Sequence, residues 1–396
     1  MLDKSVENDT EYKVLARKYR PNNLSELIGQ DVLVQTLKNA IESFRLPHAF
    51  ILTGIRGVGK TSTARIIARS LLCTGEDEKN TSPTISPCGK CSNCISIRDD
   101  RHVDVIEMDA ASRTGVGDIR EIIDSINYAP ATGRYKIYII DEVHMLSKNA
   151  FNALLKTLEE PPAHSKFIFA TTEIRKIPIT ILSRCMRFDL PRVSMELLKE
   201  HFANIAKKEG AKFEENAFWL IANAAEGSVR DGLSLLDQII STYSNQDLIT
   251  KQDVEANIGI SGKDKIFELL EFIAKGEAKE AVFHLRKLYE NGSDPLVLLN
   301  DLLEVIHFVT QIKVTKETPD KNLHSDFEIE KGQELAETLE LPYLARLWQM
   351  AIKGSSESQI ANNNLIACEM ILVRMCYISD LPTPEQIITD VKKKYN

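Results

Sequence analysis

One stretch constrains this chain more than any other: His48-Ala-Phe-Ile-Leu-Thr-Gly54-Ile-Arg-Gly-Val-Gly-Lys60-Thr61-Ser-Thr-Ala. Gly54, four residues and then Gly59-Lys60-Thr61 make the spacing of a P-loop, a phosphate cradle between a strand and a helix. The flanks agree, since the apolar run before Gly54 suits a buried strand and residues 62–72 suit a helix. Glycines let backbone N–H groups fold around phosphate oxygens, and the helix start adds the positive end of its dipole. Lys60 supplies a mobile charge near the β- and γ-phosphates, and Thr61 offers a hydroxyl to Mg²⁺.

A second signal is Arg134-Tyr-Lys-Ile-Tyr-Ile-Ile-Asp141-Glu142, an apolar strand ending in two acids. Downstream of a P-loop, Asp141 is placed to hold Mg²⁺ and Glu142 to orient and polarise an attacking water. The next apolar strand ends in Thr171-Thr172, hydroxyls that either sense the γ-phosphate or simply suit a strand end. Ser183-Arg184-Cys185 puts an arginine near the end of a short predicted helix, where its charge can reach a neighbouring molecule.

The seven cysteines are clustered unevenly. Cys88, Cys91 and Cys94 form C-x₂-C-x₂-C, and Cys73, with fourteen residues between it and Cys88, stands at a predicted helix end. Four thiolates at such spacing can close tetrahedrally on one structural Zn²⁺, leaving no open position for catalysis. A redox cluster or an iron–sulfur site is the other reading of these residues. Of the eight histidines none forms a metal-spaced pair, and His144, beside Glu142, reads as structural.

Ahead of the P-loop, residues 14–21 and 27–30 lead into an amphipathic helix over 31–44, a candidate wall for a nucleotide base. Residues 103–108 read as a strand, and Ser112-Arg113-Thr114 at the entrance to a helix over 116–126 suits either a nucleic-acid phosphate or a cap with a solvated arginine. Beyond Pro191 the pattern turns helical, with helices over 195–209, 217–225 and 229–241. Arg230 in the first turn of the third opposes the helix dipole and so suggests an anionic partner, or else a salt bridge to Asp231 or Glu226. From 262 to 378 broad apolar faces predict a further helical domain without a catalytic constellation, more suited to packing or assembly than to chemistry.

A formal charge of −8 argues against a generally basic nucleic-acid coat without excluding a local patch. Residues 1–12 are polar without an apolar leader, and no later run is expected to reach the apolar length of a membrane span, so the chain reads as cytoplasmic.

Taken together, Ala16-Arg-Lys-Tyr-Arg-Pro21, the P-loop, Asp109-Ala-Ala-Ser-Arg-Thr114, Asp141-Glu-Val-His-Met-Leu146, Ala153-Leu-Leu-Lys-Thr-Leu-Glu-Glu-Pro-Pro162 and Ser183-Arg-Cys185 closely resemble one family. It is the gamma/tau subunit family of the bacterial DNA polymerase III clamp loader, within the AAA+ ATPases. The resemblance implies an α/β AAA+ P-loop domain over 1–191, a parallel sheet with helices on both faces and a zinc module at about 73–94. It also implies a helical lid over 192–258, an all-α collar over 259–380 and a charged tail over 381–396.

The resemblance further implies that Gly54, Ile55, Arg56, Gly57, Val58, Gly59, Lys60, Thr61 and Ser62 hold ATP, with Mg²⁺ on Thr61 and Asp141. Glu142 would serve hydrolysis, Thr172, with Thr171 beside it, would be the first sensor, and Arg230 the second. Arg184 would be a finger reaching ATP in the adjacent subunit. Ala16, Arg20, Pro21, Ile28 and Val229 match the adenine region, Cys73, Cys88, Cys91 and Cys94 the zinc ligands, and Arg113, Thr114 and Lys148 the DNA-phosphate contacts. The implied function is the ATPase motor that loads a sliding clamp onto primed DNA. Its implied partners are the other subunits of a pentameric ring, the clamp and primer–template DNA, with polymerase and helicase reached through a C-terminal extension. A branch-migration helicase-like motor and a non-hydrolysing structural subunit are the competing readings.

Overall fold

Five short apolar segments pair into a wholly parallel sheet: β1 (Ala49–Thr53), β2 (Val105–Asp109), β3 (Lys136–Asp141), β4 (Ser165–Thr171) and β5 (Met186–Asp189), in the order β2-β3-β4-β1-β5. The computed structural model describes residues 12–43, 45–112, 116–244, 246–258, 263–316 and 326–377. Arg113, Thr114 and the tail over 381–396 lie outside the described residues.

Every residue of β1 and β4 is buried, as expected of strands covered by helices on both faces. Tyr138, Phe167 and Phe169 stack in series across β3 and β4, with centroids 5.4 and 5.9 Å apart. Each such fully buried side chain contributes about 1.5–3 kcal/mol of transfer free energy. The chain leaves β1 for the far edge of the sheet, returns through β3 and β4, and adds β5 on the other side of β1. This reversal beside β1 opens a crevice at the carboxyl ends of the strands, the place where open α/β sheets bind ligands.

The P-loop helix Lys60–Leu72 follows β1 directly. The three expected lid helices are Met195–Lys208, Ala217–Ala224 and Val229–Thr242. Ser194 and Ser228 cap the first and third, accepting from the N–H groups of Leu197 and Asp231. Such a cap is worth about 1 kcal/mol.

The chain divides into two compact units, Met1–Thr250 and Lys251–Asn396, so the sheet and the lid helices share one unit. The second unit is helical throughout its described residues, from Lys251–Ile258 to Asn364–Tyr377, around Leu270, Leu302, Ile306, Leu344, Leu347, Ile371 and Met375. Its helix Pro295–Thr315 corrects one expectation, because its 21 residues are long and apolar enough to cross a membrane by length and composition. Half of its most apolar window is buried, with Leu298, Leu299, Leu302, Val305, Ile306 and Val309 inside the helical core, so its apolarity is used in packing.

Candidate active site

The carboxyl ends of β2 and β3, the P-loop, the leader around Ala16–Ile28 and the lid helices enclose a cleft of about 1150 Å³. P-loop residues 56–62 form its floor. Gly57 has φ 77°, and a Cβ there would come within 2.0 Å of Ser228 Oγ on the lid. The same residue's carbonyl accepts the Arg230 N–H at 3.2 Å, so the loop and the start of helix Val229–Thr242 touch through main chain. Only glycine suits a left-handed position against which another element packs so closely.

Lys60 is buried, and its Nζ donates to the carbonyls of Gly54 at 3.0 Å and Ile55 at 2.9 Å. Burial lowers the pKa of its ammonium, while the carboxylates of Glu142 and Asp141 oppose that shift. Thr61 Oγ1 donates to Asp141 Oδ2 at 2.5 Å, and Asp141 Oδ1 accepts the Glu142 N–H at 2.9 Å. A hydroxyl and a carboxylate oxygen converging in this way form a donor set that fits Mg²⁺ alongside phosphate oxygens.

Glu142 adopts φ 45° and ψ 44°, a left-handed conformation uncommon for a side-chain-bearing residue. Such local strain persists only where the surroundings enforce it. Its Oε2 accepts the N–H of Thr172 at 3.3 Å and the Thr172 hydroxyl at 3.2 Å. Thr171 is fully buried instead, bonded to the Glu173 N–H and to His144.

Ala16, Arg20, Pro21 and Ile28 line one wall, and Val229 and Arg230 the lid wall. Among the described residues no carboxylate pairs with the Arg230 side chain, so neither Asp231 nor Glu226 takes its charge. The leader is fastened at two points. Leu15 N–H donates to Asp237 Oδ2 at 3.3 Å and Lys18 pairs with Glu209 at 2.7 Å on the lid side, while Arg69 of the P-loop helix donates to the Asn22 carbonyl at 2.8 Å. Arg184 does not line the cleft; its guanidinium is exposed, pairs with Glu159 at 2.5 Å and donates to the Thr180 carbonyl. Lys148 is exposed at the first position of helix Lys148–Glu159.

At the other end of the P-loop helix, the Sγ atoms of Cys73, Cys88, Cys91 and Cys94 all lie within 4.8 Å of one another. Zn–S bonds of about 2.3 Å in a tetrahedron need sulfurs about 3.8 Å apart, which this cluster reaches with small side-chain movement. Backbone N–H groups point at the sulfurs: those of Gly75 and Cys88 at Cys73, of Lys90 and Cys91 at Cys88, and of Cys94 at Cys91. Such donors favour thiolate over thiol. At Cys91 burial works against ionisation, but the Cys94 N–H and its neighbours prevail and bring the thiol down to about 6, whereas at Cys73 and Cys94 burial prevails and pushes the thiol up. Arg134 braces the module, donating to the carbonyls of Leu71 at 2.8 Å and Cys73 at 2.6 Å and to that of Asn80.

Sequence comparison agrees with this geometry. Residues 29–194 match the family described as DNA polymerase III, delta subunit. Residues 197–245 match the DNA polymerase III clamp loader subunit, ATPase lid domain, and residues 249–391 match DNA polymerase III subunits gamma and tau domain III. The DNA polymerase III subunit gamma of Buchnera aphidicola subsp. Schizaphis graminum is 39% identical over 389 residues, 96% of this chain and 99% of that protein. The chain belongs to the DNA polymerase III gamma/tau family. The subunit tau of Salmonella typhimurium is 39% identical over 94% of this chain, which spans 57% of that longer protein. Among solved structures, a RuvB variant of Thermotoga maritima covers 65% of this chain and 79% of its own at 21% identity and a TM-score of 0.46, too loose a likeness to bear on the assignment.

Within this family framework, the cleft also holds residues to which the sequence reading gives no role. Asp109, at the end of β2 and in register with Asp141, lines the cleft, as do His201, Asn204 and Lys208 of the first lid helix. A strand-end acid one strand over from Asp141 was a usable signal for Asp109. The lid residues carried none, because ordinary polar positions on an amphipathic helix look alike until the helix is docked. Burial, helped by Lys208, pulls the His201 imidazole down to about 4.

Proposed function

We propose that this chain is the ATP-hydrolysing motor subunit of the bacterial replicative clamp loader, coupling ATP binding and hydrolysis to loading of the sliding clamp onto primed DNA. One observation carries the reading: Lys60, Thr61, Asp141, Glu142 and Arg230 converge on a single cleft between sheet and lid, in a chain of the gamma/tau family.

ATP is the substrate, its phosphates on the N–H groups of residues 54–62 and on Lys60. Ala16, Arg20, Pro21, Ile28 and Val229 surround the adenine, and Thr61 with Asp141 would hold the Mg²⁺, which neutralises phosphate charge when bound. Water attacks the γ-phosphorus, the bond to the β–γ bridging oxygen breaks, ADP leaves, and Glu142 takes the water's proton. Thr172, bonded to the Glu142 carboxylate, acts as first sensor, with Thr171 behind it. Arg230 reports the γ-phosphate to the lid, supported by its main-chain bond to Gly57.

Arg184 reaches the nucleotide of the adjacent subunit, in keeping with its exposure and its place outside its own cleft. A finger arginine can contribute about 10³–10⁵ in rate. Zn²⁺ on Cys73, Cys88, Cys91 and Cys94 is structural. The domain division is a AAA+ domain over 1–191, a lid over 192–258, a collar over 259–380 and a tail over 381–396. The partners are the other subunits of a pentameric ring, the clamp, and primer–template DNA met through Lys148, Arg113 and Thr114. The site of action is the cytoplasm.

The deciding experiment is clamp loading. Purified chain with the other loader subunits should place clamp on primed DNA with ATP and not without it, and ATP-independent or absent loading would reject the reading.

A further inference from the structure

His144 follows Glu142 by two residues, in the turn Val143–Met145, and its side chain is only 7% exposed. Its Nδ1 lies 3.0 Å from Thr171 Oγ1 and 3.4 Å from Glu142 Oε2, and its Nε2 lies 3.4 Å from Glu173 Oε1. One ring thus touches the glutamate assigned to water activation, the buried end of β4 and the residue that leaves the strand.

We propose that His144 is a positioning residue that holds the Glu142 carboxylate in its working rotamer. The need for such a residue follows from Glu142 itself. Its carboxylate is part-exposed and its hydrogen bonds among the described residues, both from Thr172, are long and fall on one oxygen, at 3.2 and 3.3 Å. Bonds of that length hold the carboxylate only loosely about its terminal torsion, which is broad for a glutamate.

The imidazole narrows that freedom because its Nδ1 stands 3.4 Å from the same Oε2 and its buried ring is bonded to Thr171. With its hydrogen on Nδ1, the ring can share it between Thr171 Oγ1 at 3.0 Å, which also accepts the Glu173 N–H at 3.0 Å, and Glu142 Oε2 at 3.4 Å. A ring that is buried and bonded to the end of β4 has little room to tilt out of the way. His144 does not line the cleft, so it acts on the chemistry through Glu142 and not by touching nucleotide. Small displacements of a reacting group are costly, since about 1 Å of misplacement can cost on the order of 100-fold in rate.

This inference rests on the ATPase reading, and the experiment separates the two. In the assembled loader, ATP turnover and binding of a fluorescent ATP analogue are measured for wild type, His144→Ala and His144→Asn. Asparagine keeps a polar atom near the Nδ1 position and omits Nε2. The expected result is a kcat about 10- to 100-fold lower in His144→Ala with analogue binding within about 3-fold of wild type, and recovery of most of that loss in His144→Asn. A kcat unchanged in His144→Ala overturns the proposal. Equal losses in both variants, accompanied by weaker binding and a lower melting temperature, also overturn it, since that is the signature of a packing residue. A wild-type assembly that turns over no ATP overturns the ATPase reading and this inference with it.

Discussion

The helix Lys60–Leu72 carries a site at each end, and the two are opposite in kind. At its start, Lys60 and Thr61 face a cleft of about 1150 Å³ whose walls come from the leader, three strand-end acids and the lid. At its end, Cys73 joins three other sulfurs within 4.8 Å, and the protein alone supplies a full tetrahedral set. The first site is open and has charge to spare, because among the described residues no carboxylate pairs with the Arg230 side chain in its wall. The second is closed and complete. The difference teaches that one helix can be anchored at its carboxyl end, by Arg134 and the cysteines, so that its amino end remains a rigid platform for a substrate that comes and goes.

The comparison breaks most visibly at the residue that the open site lacks. Arg184→Ala in the assembled loader should lower the DNA-stimulated kcat about 1,000-fold while leaving ATP binding to the chain alone unchanged. Unaltered turnover would mean the cleft is complete within one chain. Next in size, Lys60→Ala should weaken ATP binding roughly 100-fold or more, measured by analogue titration, with no change in metal content. Loss of metal along with nucleotide would erase the distinction between the two ends.

The closed end should respond in stability and not in affinity. Metal analysis should return about one zinc per chain, and Cys94→Ala should remove it and cost roughly 3 kcal/mol in a denaturant titration. An unchanged midpoint without metal would show that the cysteines carry no structural load. The smallest effect concerns the lid wall. The His201 pKa is about 4 in the folded chain against an ordinary value of about 6.5. The unfolded chain therefore binds more protons in between, so stability is full above about pH 6.5 and falls as pH drops toward 4. His201→Gln should flatten that part of the stability curve, and an unaltered slope would assign it to other groups.

Much of this was legible in the residues alone. The P-loop spacing, the buried strands around β1, and the lid helices are local patterns, and local sterics and hydrogen bonding dictate them over a few residues. The four cysteines were equally plain, since metal-ligand spacing is a feature of sequence. Pro295–Thr315 exceeds the apolar length expected of any run because a helix that fills the second unit's core needs apolar residues on most of its faces. His144 was read as structural because proximity in sequence cannot tell a packed ring from one that also meets the ends of two strands.

The sequence by itself therefore determined the kinds of element, the phosphate cradle, the acidic strand end and the cysteine set. Tertiary structure alone decided that Thr172 and not Thr171 meets Glu142, that Asp109, His201, Asn204 and Lys208 share a wall, and that Arg184 faces away from its own cleft. The reason is separation along the chain. Glu142 and Thr172 stand 30 residues apart, and their contact is set by the register of β3 on β4. The lid wall is set by packing of hydrophobic faces, a cooperative outcome of the whole core that no short window of residues contains.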